Sequence, residues 1–193
     1  MPEMNVEPDK KKNVYGVVSL LHNNHMEKIN KVWTELESSF GIKHLYEVPI
    51  PHFSYHVSAD YPIDLLKIKL AAYTKGKKTF TVKTEGLGVF NTSEPVLYIP
   101  VVRNPVLSSF HRELWDLLSA LAPEPLNYYH PDSWMPHITL IHGNIPEDRL
   151  PHVVSYLASK DFNWEIPVDN VSVICSSCSE VDPDSSFKLG RGT

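Results

Sequence analysis

The chain runs twice through the order strand, helix, strand, helix, and this repeat limits its fold more than any other feature. Asn13 to Leu21 (NVYGVVSLL) is rich in β-forming residues and reads as a strand. His25 to Phe40 spaces Ile29, Val32, Trp33, Leu36 and Phe40 along one face of a helix, and Gly41 stops it. His44 to Val57 gives one or two strands broken at Pro49 and Pro51, and Ile63 to Tyr73 follows Pro62 at helical spacing. Phe80 to Gly88 and Val96 to Arg103 are two strands joined by Asn91-Thr92-Ser93-Glu94-Pro95, which is turn chemistry. The second round begins there. Leu107 to Leu121 is an amphipathic helix ended by Pro123 and Pro125, Trp134 to His142 is a strand, and Glu147 to Ser159 is a helix after Pro146. Trp164 to Cys175 supplies one or two further strands, and Phe187 to Leu189 a short last one.

A plan used twice predicts an α+β protein of two similar lobes whose sheets face each other. Apolar residues make up 42% of the 193, enough to bury a core in one domain or two small lobes. Residues 1–13 are expected to be a disordered tail and 14–193 a single two-lobed domain. No apolar run approaches the roughly 20 residues that cross a bilayer. The polar start, with Lys10-Lys11-Lys12, lacks the apolar stretch of a signal peptide, so a cytoplasmic protein is expected. It is also expected to be a monomer. The net charge of −5 argues against tight, non-specific binding along a nucleic-acid backbone, yet leaves room for a nucleotide or an RNA end.

Each round of the plan carries one histidine strand. Three Pro-His dipeptides occur, at Pro51, Pro136 and Pro151. The first two continue as apolar, hydroxyl, apolar: His52-Phe53-Ser54-Tyr55 and His137-Ile138-Thr139-Leu140. His152 is followed by Val153-Val154 inside a predicted helix and serves as an internal control. On a strand, residues i and i+2 point the same way. His52 therefore shares a face with Ser54, and His137 with Thr139, while Phe53 and Ile138 anchor the opposite sides. If the apolar sides pack on helices, the polar sides can line a common cleft.

Two imidazoles and two hydroxyls suit phosphoryl chemistry. One neutral histidine takes a proton from the attacking water or hydroxyl, and the other, protonated, gives one to the leaving oxygen. The hydroxyls donate hydrogen bonds to the non-bridging phosphate oxygens. A single H-x-S/T is a frequent accident, and its bland reading is a solvent-facing strand. Two copies at equivalent places in a repeated plan are a stronger signal.

With these motifs the chain resembles the 2H phosphoesterases, also called the 2′-5′ RNA ligase-like superfamily, from about residue 13 to 190. PHITL is a very typical form of its motif, whereas Tyr55 and His56 depart from a plainer apolar continuation. The resemblance implies a bilobal fold, each lobe an antiparallel sheet packed by helices, around a central cleft. It implies hydrolysis of 2′,3′-cyclic phosphates or 2′,5′-phosphodiesters with no cofactor and no required metal. The partner would be a nucleotide or RNA end with a cyclic or 2′,5′-linked phosphate, with no membrane and no protein partner. It also implies His52 as proton donor and His137 as acceptor, an order the residues alone do not fix. The alternative is a non-catalytic nucleotide or RNA-end binding module on the same fold.

Other residues admit two readings each. His56 follows Ser54 by two, so it either lines the cleft or plays a structural part at the strand end. His142 falls opposite His137 if the strand is regular. Tyr128, Tyr129 and Trp134 precede the second motif and either stack on a base or belong to core and rim. Arg103 and Lys83 either face a phosphate or are solvated edge residues. Cys175 and Cys178 are half of a four-cysteine zinc site and read as two thiols at a strand end. His52 and His56 lie about 13 Å apart on a regular strand, too far for one ion. Gly86-Leu87-Gly88 begins a dinucleotide pattern but meets Asn91 where the third glycine belongs, and the signatures of α/β-hydrolases, zincins and P-loops are absent.

Overall fold

The computed structural model describes residues 13–42, 50–122, 126–143, 145–176 and 182–190. The expected tail, except Asn13, lies outside them, as do Cys178 and the strand proposed around His44 to Pro49. The elements in order are β1 (Tyr15–Leu20), α1 (Asn23–Phe40), β2 (His52–Ser58), α2 (Ile63–Lys75), β3 (Phe80–Lys83), β4 (Gly88–Phe90), β5 (Val96–Pro100), α3 (Pro105–Ser119), β6 (His137–His142), α4 (Leu150–Ala158), β7 (Glu165–Val168), β8 (Asn170–Cys175) and β9 (Ser186–Lys188). The fold is α+β with antiparallel sheets. One sheet runs β2-β1-β8-β9, a second β4-β5-β6, and a β3-β7 pair joins the second through the Thr84↔Val101 bridge.

Local chemistry explains most boundaries. Gly41 closes α1 in the left-handed conformation (φ 64°), its N–H bonding back to the Glu37 carbonyl and the Ile42 N–H to the Leu36 carbonyl. Asn104 caps α3, its side chain accepting from the Leu107 N–H at 2.8 Å, with Pro105 in the first turn. The stretch Phe80 to Gly88 is not one strand. Gly86 turns the chain at φ 68°, and its two ends pair with different partners, β3 with β7 and β4 with β5.

The helices are exchanged between the lobes. α1 follows β1 yet packs against β6, and α3 follows β5 yet packs against β2. α2 stays with its own sheet, against β8 and β9. α4 lies along α1, with Tyr156 on Phe40 and the Tyr156 hydroxyl hydrogen-bonded to Glu35. Phe53, Tyr55, Ile138 and Leu140 from the two histidine strands all enter the one buried core, which both lobes share.

Candidate active site

The two histidine strands are built alike down to their irregularity. His52 and Ser54 are half-buried, and Phe53 and Tyr55 are buried between and beside them. His137 and Thr139 repeat this pattern with Ile138 and Leu140. Directly after each hydroxyl residue the ladder slips by one. Val18 pairs with Ser54 but Val17 pairs with His56, leaving Tyr55 unmatched. Tyr98 pairs with Thr139 but Leu97 pairs with Ile141, leaving Leu140 unmatched. Each strand thus carries a β-bulge, which adds one residue and resets the alternation of faces.

The bulges decide between the two readings of His56 and overturn the one for His142 that assumed a regular strand. His56 does not line the cleft. It is fully buried, its Nδ1 hydrogen-bonded to the Tyr61 hydroxyl and its ring against Trp115. Burial pulls its pKa down to about 4, so it is neutral near pH 7. His142 does not fall opposite His137. By register it returns to the His137 face, and it is exposed.

Each motif histidine is fixed in the same way. His52 Nδ1 lies 2.6 Å from the Ile50 carbonyl, and His137 Nδ1 lies 2.6 Å from the Met135 carbonyl. A carbonyl only accepts, so both rings hold their proton on Nδ1 and leave Nε2 for proton exchange. β2 and β6 pack against each other without sharing a hydrogen-bonded ladder. Burial lowers the pKa of both histidines, and the carbonyl bonds oppose that. The charge of His137 lowers His52 further, so the rings lie within electrostatic reach. Such a pair accepts one proton more readily than two, which is the state with one acid and one base.

The surroundings of the two rings differ. His137 stands edge to face with Phe90 at 5.0 Å and tilted against Tyr98 at 5.1 Å, and Phe90 and Tyr98 are stacked at 4.1 Å. The sequence points to neither aromatic. A three-residue strand such as β4 is too short for its alternation to be read. Gly88 belongs to this group rather than to any dinucleotide loop. It pairs with Tyr98, and a Cβ there would overlap the Tyr98 ring.

Tyr129 sits in a short turn of 3-10 helix that packs against β2, which places its hydroxyl within electrostatic reach of the Ser54 side chain. Tyr128 is 81% exposed. Trp134 is not a cleft residue. It is buried, stacks on His111 at 3.7 Å, and donates its indole N–H to the Ser54 carbonyl at 2.9 Å. Arg103 does not offer these nitrogens to a phosphate, since its guanidinium bonds the Trp134 and Pro131 carbonyls at 3.0 and 2.9 Å. Lys83 is exposed and pairs with Glu165 at 3.6 Å. Cys175 is buried at the end of β8, and His152 is exposed on α4. Among the described residues no cluster of three or more His, Cys, Asp or Glu is placed to hold a metal ion, and no helix is long and apolar enough to cross a membrane.

A two-lobed α+β fold with a pseudo-symmetric pair of H-x-[ST] strands defines the class of the 2H proteins. The 2'-5' RNA ligase superfamily model matches residues 25–177, and the chain belongs to that family. Among solved structures it is similar to TT0787 of Thermus thermophilus, with a TM-score of 0.63 and 18% identity over 91% of this chain and 97% of that one. That likeness concerns the fold. No curated protein matches the chain.

Proposed function

We propose that the protein is a phosphoesterase that opens 2′,3′-cyclic phosphates or cleaves 2′,5′-phosphodiesters of nucleotides or RNA ends by two-histidine acid–base catalysis. The observation that carries this reading is the shared lock on His52 and His137. Both rings bond a carbonyl two residues back through Nδ1, and each stands beside a hydroxyl on its own strand.

In the reaction, the neutral histidine accepts the proton of the attacking water as its oxygen bonds to phosphorus. The protonated histidine delivers its proton to the departing ribose oxygen as that P–O bond breaks. The proton count balances, and the next turnover begins with the roles restored through solvent. Ser54 and Thr139 donate to the non-bridging oxygens, where negative charge must be held. Phe90 and Tyr129 are half-buried rings beside His137 and Ser54, and such rings stack on bases, which favours a nucleotide over a bare phosphate ester.

The test is turnover of 2′,3′-cyclic nucleotides and 2′,5′-oligoadenylate in EDTA. Each proton transfer contributes roughly 10²–10⁴ in rate, so His52→Ala and His137→Ala should each lose at least about 100-fold. Undiminished turnover in either variant overturns the mechanism. Binding of the nucleotide without any product would assign the fold a recognition role instead.

A further inference from the structure

The first histidine strand has two consecutive carbonyls at its bulge, those of Ser54 and Tyr55. Both accept from ring N–H groups that come from elsewhere in the chain. Trp134 Nε1 donates to Ser54 at 2.9 Å, and His111 Nε2 donates to Tyr55 at 3.1 Å. The two donor rings lie face to face, 3.7 Å apart and 20° from parallel. Trp134 stands three residues before His137, and Arg103 holds it by its carbonyl and over its ring. One stacked pair therefore grips the bulge of the first motif and leads by a short run of chain into the second.

His111 is an unusual choice for a purely structural place. It is fully buried, and burial pulls its pKa to about 4. With the proton on Nε2, its Nδ1 carries a buried lone pair with no hydrogen-bond partner among the described residues. A buried polar atom left unpaired is destabilising. Phenylalanine would stack on Trp134 without that cost, but it would lose the N–H that Tyr55 receives. What the imidazole supplies is a directed donor to the unmatched residue of the bulge.

We infer that His111 and Trp134 are positioning residues that set the placement of the His52–Ser54 motif relative to the His137–Thr139 motif. Both rings are buried. They act through the bulge carbonyls, and this inference extends the two-histidine reading of the site.

Two readouts test it, one with and one without catalysis. Turnover of 2′,3′-cyclic AMP is measured for His111→Leu, which loses the donor, and for His111→Gln, which keeps a side-chain N–H. Misplacement of reacting groups by about 1 Å can cost on the order of 100-fold in rate. The expected result is a fall in kcat of about 10- to 100-fold in His111→Leu, little change in KM, and recovery of most of the loss in His111→Gln. The second readout is the NMR titration midpoint of the His52 ring, with and without His137→Ala. Removing His137 should raise that midpoint in the otherwise native protein, and raise it less in the His111→Leu background. If His111→Leu does not fold, Trp134→Phe keeps the stacked ring and removes only its N–H, and the same reduced response is expected. An undiminished response, or equal kcat in the Leu and Gln variants, overturns the inference. A native protein that turns over neither cyclic nucleotides nor 2′,5′-oligoadenylate would end the phosphoesterase reading, while the titration would still decide the positioning role.

Discussion

The ring of Tyr98 lies directly over the bare Cα of Gly88, its partner across β4 and β5, in space that any Cβ would invade. Tyr98 in turn supports Phe90 and His137. Gly88→Ala should therefore push the Tyr98 ring away and disturb His137. The expected loss of stability is about 1–3 kcal/mol, as for other overpacked sites. Urea denaturation checks it. In a Tyr98→Ala background the same glycine change should be nearly neutral, because the ring it strikes is gone.

Acid should weaken the fold through His56 and His111. Both are buried and fall from the ordinary 6.5 to about 4. The unfolded chain therefore binds protons that the folded one refuses, so stability rises with pH in this window. Their contribution is fully present above pH 6.5 and is lost as pH falls toward 4. Refusing a proton over that range is worth about 3 kcal/mol for each histidine. Unfolding free energies at pH 7.5, 5.5 and 4.5 measure this, and the slope should be roughly halved in His111→Gln.

The pH dependence of kcat/KM follows from the lowered His52 and His137. A base with a depressed pKa stays neutral to lower pH, and an acid with a depressed pKa loses its proton earlier on the alkaline side. Both limbs of the bell move down, so the optimum should lie below 6.5. A profile centred at pH 8 would contradict this placement of the two rings.

Trp33 is the counterpart of His111 on the other strand. Its indole N–H donates to the carbonyl of Leu140, the unmatched residue of the second bulge, at 3.0 Å. Trp33→Phe keeps the bulk and leaves that carbonyl without its donor. The cost should be about 1–3 kcal/mol, read from the shift in thermal or urea midpoint.

Much of this arrangement is legible in the residues, because a strand has a period of two. That rule alone puts His52 with Ser54, and His137 with Thr139, on faces opposite Phe53 and Ile138. It fails one residue later, at Tyr55 and Leu140, where no glycine or proline marks the bulges. His56 accordingly moves into the core and His142 onto the other face. Trp134 escapes for a different reason. An indole bonded to a carbonyl 80 residues away looks, in sequence, the same as one waiting for a base. The exchange of α1 and α3 leaves no trace either, since amphipathic spacing tells that a helix face is covered but not by which sheet.

That exchange bears on how the chain can be divided. A cut after Lys75 would give one piece with β1, α1, β2 and α2 and another with every remaining strand. The first would carry the helix that backs His137, and the second the helix that backs His52. Neither piece encloses its own core. The two should stay unfolded apart and become structured only on meeting, so that a split form of this protein would report the encounter of whatever its halves were attached to.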